Sequence, residues 1–381
     1  MLERVEGLEQ LVRSNAAEAE RMGQVAPAVI DAFHDAELFS VLIPADHGGS
    51  GLTLPESVEL FERVARFDAS TAWTLVILAD GPMLARSFAD DVFAAICAAP
   101  KALIAGTLNP VTARAEQIDG GYVFSGTASY LSGSAYASWV LASALMTRDG
   151  ELAFNDGRVE IRCGLIPIDR ATSLDSWNVT GMRATGSSDY AFADVKVEAS
   201  STFSPFDPRP ASGADVCAAI PLWAKLGGGL AAVAVGTARN MLDRFLELAA
   251  AKVPTGNITR LSDRGSTQIA VGEAFGLCQA ARAVLMQTVH AIWARGAAGE
   301  SFGPLELAEQ RIGLVTAVRL AARSIDLLHD AAGMNAVTAD DVLDRCWRDV
   351  HTMTQHVMLS PARYEIAGRV MLGLDPGAPM I

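Results

Sequence analysis

The chain has 381 residues, half of them hydrophobic and 19% charged, with a formal net charge of −14. That acidity excludes a basic nucleic-acid footprint over the chain as a whole, while a local arginine can still hold an anionic small ligand. The five cysteines (Cys97, Cys163, Cys217, Cys278, Cys346) are widely spaced with no CxxC pair, so neither a metal site nor a disulfide framework is indicated.

A mean hydropathy of +0.25 is high for a soluble monomer and points to apolar surface buried partly between subunits. The longest apolar run, around Leu226 to Ala238, is too short at about 13 residues to span a bilayer, so a buried helix and no membrane are expected. Met1 to Glu6 lacks the apolar core of a signal peptide, and cytoplasmic location is the expectation.

Residues 1–101 read as a helical domain. Leu8, Leu11, Val12 and Ala16 recur at helical spacing, as do Val29, Ile30, Phe33 and Ala36. A loop follows at Pro44–Gly51, and a helix starts near Leu54-Pro55-Glu56, where proline and an acidic residue suit the first turn. Residues 102–200 change to strand periodicity. Asp119-Gly120-Gly121 is a turn between strands, Trp139–Ala142, Arg162–Ile168 and Phe192–Val197 read as further strands, and Asp149-Gly150 and Asn155-Asp156-Gly157 as turns. Residues 201–215 form a proline- and serine-rich linker, and residues 216–381 a helical bundle. There Leu242, Phe245, Leu246 and Ala249 mark one apolar face, and Arg311, Leu314, Val315, Val318 and Ala321 a long buried helix. Gly227-Gly228-Gly229 lacks a Gly-Lys-Ser/Thr ending and is read as close packing of a helix on the β domain rather than a phosphate loop. The class is α+β, mostly α.

Five stretches, in order, resemble the acyl-CoA dehydrogenase superfamily: Ile43–Gly51, Asp68–Trp73, Ser132–Trp139, Trp177–Ser187 and Arg345–Asp349. The resemblance covers nearly the whole chain. It implies an acyl-CoA dehydrogenase-like fold with an N-terminal helical domain, a middle β-barrel or sandwich domain and a C-terminal helical bundle. Two departures point to a sub-branch. Dehydrogenases of this superfamily usually carry Thr-Glu-Pro where this chain reads Leu108-Asn109-Pro110, and a catalytic glutamate either shortly after the arginine–aspartate step, at the place occupied here by His356 and Val357, or on an earlier helix. Together with the Ser-Gly strand and the Thr-x-His ending, these features resemble two-component flavin-dependent monooxygenases. That resemblance implies reduced flavin (FMNH2 or FADH2), O2, a separate flavin reductase, a small organic substrate (phenol, amine or thioether), a C4a-hydroperoxyflavin and a homotetramer. One further departure is that the helix Ile77–Pro82 lacks a histidine that some members carry there.

Each candidate residue has a job and a plain alternative. Ser132, placed after Tyr130-Leu131 in a strand, is the candidate for the flavin N5 hydrogen bond; otherwise it finishes a strand. His356 is the candidate to hold or deprotonate the substrate heteroatom or to stabilise the peroxide, because imidazole titrates near neutrality; otherwise it caps a helix. Asn109 bonds the flavin or orients His356, or is a turn asparagine before proline. Trp177 covers the isoalloxazine or is a core tryptophan. Thr185, Gly186 and Ser187 present hydroxyls and a backbone amide to the ribityl or phosphate, or form a turn. Lys252, Arg260 and Arg264 precede Gln268 at the place where the superfamily puts phosphate contacts from a neighbouring subunit, and Gly333 sits in a segment resembling its cofactor-reaching glycines. His34, His290, His329 and His351 are read as structural, and Cys278 and Cys346 as core. The leading expectation is an oxygenase component. The alternatives are an acyl-CoA dehydrogenase or oxidase with Glu273 or Glu365 as relocated base, and a flavin-free interaction scaffold.

Overall fold

Threonine and glutamate three residues apart start the helix that frames the site. Thr53 accepts the Glu56 N–H through Oγ1 at 3.3 Å, and Glu56 takes the Thr53 N–H at 2.8 Å, ahead of Pro55 in the first turn. A computed structural model describes residues 1–99, 101–110, 112–206 and 216–377. Six helices come first: α1 (Leu2–Glu6), α2 (Glu9–Met22), α3 (Pro27–Asp35), α4 (Leu54–Ala65), α5 (Ala69–Ala85) and α6 (Asp90–Ala98). Asp68 caps α5 by accepting the Thr71 N–H at 2.9 Å. Nearly all of α5 is buried, as expected of a helix that is apolar all round. Gly81 lets it abut the first strand: a Cβ there would lie 2.5 Å from the Ile104 carbonyl oxygen.

The strands are β1 (Ile104–Gly106), β2 (Arg114–Ile118), β3 (Gly121–Ala128), β4 (Trp139–Arg148), β5 (Glu151–Leu152), β6 (Phe154–Asn155), β7 (Arg158–Val159), β8 (Ile161–Pro167), β9 (Thr172–Ser173), β10 (Tyr190–Glu198) and β11 (Thr202–Phe203). One mixed sheet runs β11-β8-β4-β2-β3-β10-β9, with β1 and β5 also paired to β4, and β6 and β7 form a separate hairpin. β2 and β3 pair antiparallel around the expected Gly120-Gly121 turn. The β3–β10 register slips between Phe192 and Val195, where Asp194 takes φ 53°.

Two stretches differ from the sequence expectation. Ser132 is not in a strand: β3 ends at Ala128, and Tyr130 at φ 64° turns the chain into a short loop that carries Ser132. The stretch expected as a linker begins with two residues that join the sheet, since Thr202–Phe203 pairs with β8. Its residues 207–215 lie outside the described residues.

The C-terminal helices are α7 (Val216–Ala219), α8 (Leu222–Lys225), α9 (Gly228–Ala251), α10 (Gly265–Ala297), α11 (Pro304–Ala332), α12 (Val342–Met353) and α13 (Ala362–Met371). α9 runs through the middle, against α4, α5, α10, α11 and α12. The glycine step before it packs tightly, but on other partners than expected. Cβ atoms at Gly228 and Gly229 would meet Val58, Phe61, Val76 and Val289 rather than the sheet. Leu246 leaves the expected apolar face of α9 and is exposed, whereas Leu242, Phe245 and Ala249 are buried. The expected buried face of α11, including Arg311, is buried throughout. α10 is long and apolar enough to cross a membrane by length and composition, with a mean hydropathy of 1.4 over its most apolar stretch. Only 22% of that stretch is buried, and Ile269 and Phe275 on α10 are exposed.

Candidate active site

A cavity of about 410 Å³ lies where α5, the sheet, α8 and the end of α12 meet. Its size is that of a small-molecule site. α5 contributes Trp73, Ile77, Asp80, Gly81 and Leu84, which share one face at helical spacing. The walls are mostly apolar, with Ile104, Leu141, Leu226 and Leu230 among them.

A chain of hydroxyls borders one end. Trp73 donates its indole N–H to Ser132 Oγ at 3.2 Å. Ser132 and Ser187 are 2.7 Å apart, Ser187 and Thr185 2.6 Å, and Thr185 donates to the Met182 carbonyl at 2.8 Å. The direction of this chain is determined by its ends. Indole can only donate and a carbonyl can only accept, so the three hydroxyl protons must run Ser132 to Ser187, Ser187 to Thr185, and Thr185 to Met182. Ser132 therefore spends its proton inside the protein. One lone pair remains on Ser132, which lines the cavity.

His356 stands at the same end, its ring 5.3 Å from Trp73 in an edge-on arrangement. It sits in the turn after α12 rather than in a helix. Its Nδ1 accepts the Met358 N–H at 3.2 Å. A backbone N–H cannot accept, so in the neutral ring the proton is on Nε2. Burial lowers its pKa to about 4, and the Arg363 charge adds to the shift. His356 is thus a neutral N–H donor at pH 7. This geometry serves holding a heteroatom or an oxygen better than taking a proton from one.

The loop carrying Trp177 and Met182 is fixed from outside. Asp349 accepts the Met182 N–H, Arg348 donates to the Thr180 carbonyl at 2.6 Å, and Trp177 donates to the Met182 carbonyl at 3.0 Å. Gly181 allows the approach, since a Cβ would lie 2.2 Å from the Arg348 carbonyl oxygen. Burial, with Asp68 nearby, pushes the Asp349 carboxyl up to about 7. Arg345 lies 3.6 Å from both Asp68 and Glu20 and completes this buried network.

The cavity brings together Ser132, Asn109, Trp177, Thr185, Ser187 and His356. Gly186 (φ 54°) lines an adjoining hollow of about 390 Å³ that shares Trp177 and Thr185 with it. Asn109 stands at the exposed mouth, and its side chain makes no hydrogen bond to His356, so it does not orient that ring. Arg260, Gln268 and Gly333 are exposed and line neither hollow. Arg260 takes part in the turn before α10, Gln268 donates to the Ser262 carbonyl at 3.1 Å, and Lys252 donates to the Ala332 carbonyl at 3.0 Å at the end of α11. Glu273 and Glu365 are exposed and outside the cavity. His351 pairs with Asp326 at 2.8 Å and His329 stacks on Trp347, as structural residues do. Sequence reasoning missed Trp73 as the donor to Ser132, and also Asp80, Thr107 and Trp223 in the lining.

Two family models match the chain. The acyl-CoA dehydrogenase N-terminal domain matches residues 6–87 and the acyl-CoA dehydrogenase C-terminal domain residues 228–361, together more than half of the chain. This chain belongs to the acyl-CoA dehydrogenase family. Among curated relatives of this family member, the FADH(2)-dependent resorcinol hydroxylase, oxygenase component, of Rhizobium sp. (strain MTP-10005) is 27% identical, over 98% of this chain and 94% of the relative. Among solved structures, XiaF from Streptomyces sp. in complex with FADH2 and glycerol superposes with a TM-score of 0.91 at 23% identity, covering 100% of this chain and 96% of that one. FMN-bound TdsC from Paenibacillus sp. A11-2 gives 0.81 at 23% identity, covering 98% and 97%.

Proposed function

We propose that this chain is the oxygenase component of a two-component flavin-dependent monooxygenase. It takes reduced FMN or FAD from a separate flavin reductase. One atom of O2 goes to a small organic substrate such as a phenol, amine or thioether, the other leaves as water, and the flavin returns oxidised. Bound reduced flavin supplies the electrons that activate dioxygen.

The observation that carries the reading is the direction of the hydroxyl chain. It leaves Ser132 as an acceptor toward the cavity. A reduced flavin has an N–H at N5 to offer, and an oxidised flavin has none. Trp177 and Thr185, shared by the cavity and the adjoining hollow, suit the ring and its ribityl chain. The neutral His356 N–H is a fixed donor at the Ser132 end of a largely apolar pocket, placed to hold the reacting substrate atom. The dehydrogenase alternative finds no base in Glu273 or Glu365, which lie outside the cavity.

A homotetramer fits the bare face of α10, because a second copy would cover Ile269 and Phe275. It would also give Arg260, Gln268 and Gly333 a flavin phosphate to reach on a neighbour. Light scattering reads the assembly. Arg260→Ala should weaken flavin binding about tenfold without changing the mass.

The deciding experiment mixes anaerobic protein carrying reduced FMN or FAD with O2 and follows absorbance. A transient flavin spectrum distinct from the reduced and oxidised forms, shortened in Ser132→Ala, supports the oxygenase. Immediate return of oxidised flavin with free peroxide, together with bleaching of bound FAD by an acyl-CoA, refutes it.

A further inference from the structure

The cavity has a second polar end. Asp80 faces it from α5, seven residues beyond Trp73 on the same face, which is roughly 10 Å at 1.5 Å per residue. Among the described residues Asp80 is the one carboxylate in the lining. Among those residues, too, nothing hydrogen-bonds its carboxyl, although α5 is otherwise nearly all buried and apolar. Trp223 lines the cavity from α8, and its indole N–H is buried with no acceptor among the described residues. α8 belongs to this end because Leu222 and Leu226 share an apolar cluster with Leu84, past Asp80 on α5, and with Phe88 just beyond that helix. α11 holds α8 rigidly: Gln310 donates to the Ala224 carbonyl at 2.6 Å, and Arg311 donates to the Trp223 carbonyl. Between the two ends the walls are Ile77, Leu84, Ile104, Leu141, Leu226 and Leu230.

Resting on the oxygenase reading, we propose that Asp80 and Trp223 form a distal recognition site for a hydroxyl group on the substrate, at the end remote from the atom that is oxygenated. Among the described residues, a half-buried carboxyl with no donor and a buried indole N–H with no acceptor are groups that a single ligand can satisfy together. A hydroxyl does both, donating to the Asp80 carboxyl and accepting from the Trp223 indole. An ammonium suits this end less well. It cannot accept from Trp223, and the Lys225 charge is near enough to act on Asp80. Burial pushes the Asp80 carboxyl up to about 7 against that charge, so a neutral partner is favoured over an ion. The substrate class is an elongated, largely apolar or aromatic molecule with a reacting group at one end and a hydroxyl at the other.

The test compares 4,4′-dihydroxybiphenyl with 4-hydroxybiphenyl, which differ only in the distal hydroxyl. Affinities are measured calorimetrically on the full-length protein. The dihydroxy probe should bind at least about tenfold tighter. That preference should collapse to under about twofold in Asp80→Leu, fall part of the way in Trp223→Phe, and largely return in Asp80→Asn, which keeps the shape and an acceptor oxygen. Equal affinities in the wild type, a preference unchanged by Asp80→Leu, or failure of both probes to bind would each overturn the proposal. The underlying reading is decided separately by the flavin transient of the wild-type protein, measured without either probe.

Discussion

Removing one hydroxyl from the relay should change which redox state of the flavin the protein prefers. Ser187 is the middle link, accepting from Ser132 at 2.7 Å and donating to Thr185 at 2.6 Å. In the wild type this link consumes the Ser132 proton, so Ser132 meets N5 only as an acceptor, which suits reduced flavin. In Ser187→Ala the Ser132 hydroxyl is free to rotate and can donate to the bare N5 of oxidised flavin. A neutral hydrogen bond contributes about 1 kcal/mol net, equivalent to about fivefold in affinity. Oxidised flavin should therefore bind about fivefold more tightly in the variant, while reduced flavin, which still finds a lone pair on Ser132, changes little. The assay is a pair of titrations, aerobic with oxidised flavin and anaerobic with reduced flavin, compared as a ratio of dissociation constants. The ratio should narrow about fivefold in Ser187→Ala. If it stays within twofold of the wild-type value while Ser132→Ala abolishes the discrimination, the direction of the relay is not what sets it, and the argument from hydroxyl protons fails.

Gly181→Ala places a Cβ 2.2 Å from the Arg348 carbonyl oxygen, a clash with backbone that no rotamer relieves. A loss of about 1–3 kcal/mol is expected, seen as a lower Tm together with weakened flavin binding, because the loop bearing Trp177 and Met182 must move. For His356 the native pKa of about 4 lies below the ordinary 6.5, so the unfolded chain binds the proton more readily. Its contribution to stability is then complete above about pH 6.5 and declines as pH falls from there toward 4. Tm measured across that window should drop more steeply for the wild type than for His356→Gln, and parallel curves would count against the assignment. Between pH 6 and 8 the yield of oxygenated product should show no step attributable to His356, and a bell-shaped profile that disappears in His356→Gln would contradict a neutral donor.

Much of the architecture was legible because periodicity and turn chemistry report directly on burial. The capped start of α4, the β2–β3 turn and the buried face of α11 all follow from residue pattern. Ser132, Trp177, Thr185, Ser187 and His356 were found through motif resemblance, and the fold brings them to one cavity. What escaped has identifiable causes. The turn that removes Ser132 from the strand depends on Tyr130 taking a positive φ, which bulky residues seldom do and no pattern announces. Asp80 was noticed only as a position lacking a histidine, since an isolated acid on an apolar helix carries no local signal of what it faces. Trp73 read as part of a helix start, and its partner lies 59 residues away. The glycines before α9 signalled close packing correctly, but which elements approach is a matter of tertiary arrangement.

The ties from α12 to the loop at Thr180–Met182 also bear on how the protein comes into being. The walls of the cavity begin at Trp73 and are not complete until Met358, and the loop that carries Trp177 is held by Arg348 and Asp349. A chain that stops before α12 lacks the side chains that hold this loop and the residues from Thr352 to Met358 that line the cavity. Reduced flavin that such a fragment failed to retain would be oxidised by O2 in solution, giving oxidised flavin and free peroxide. The chamber that Trp73 begins is thus finished only by two side chains of α12, about 275 residues further along the chain.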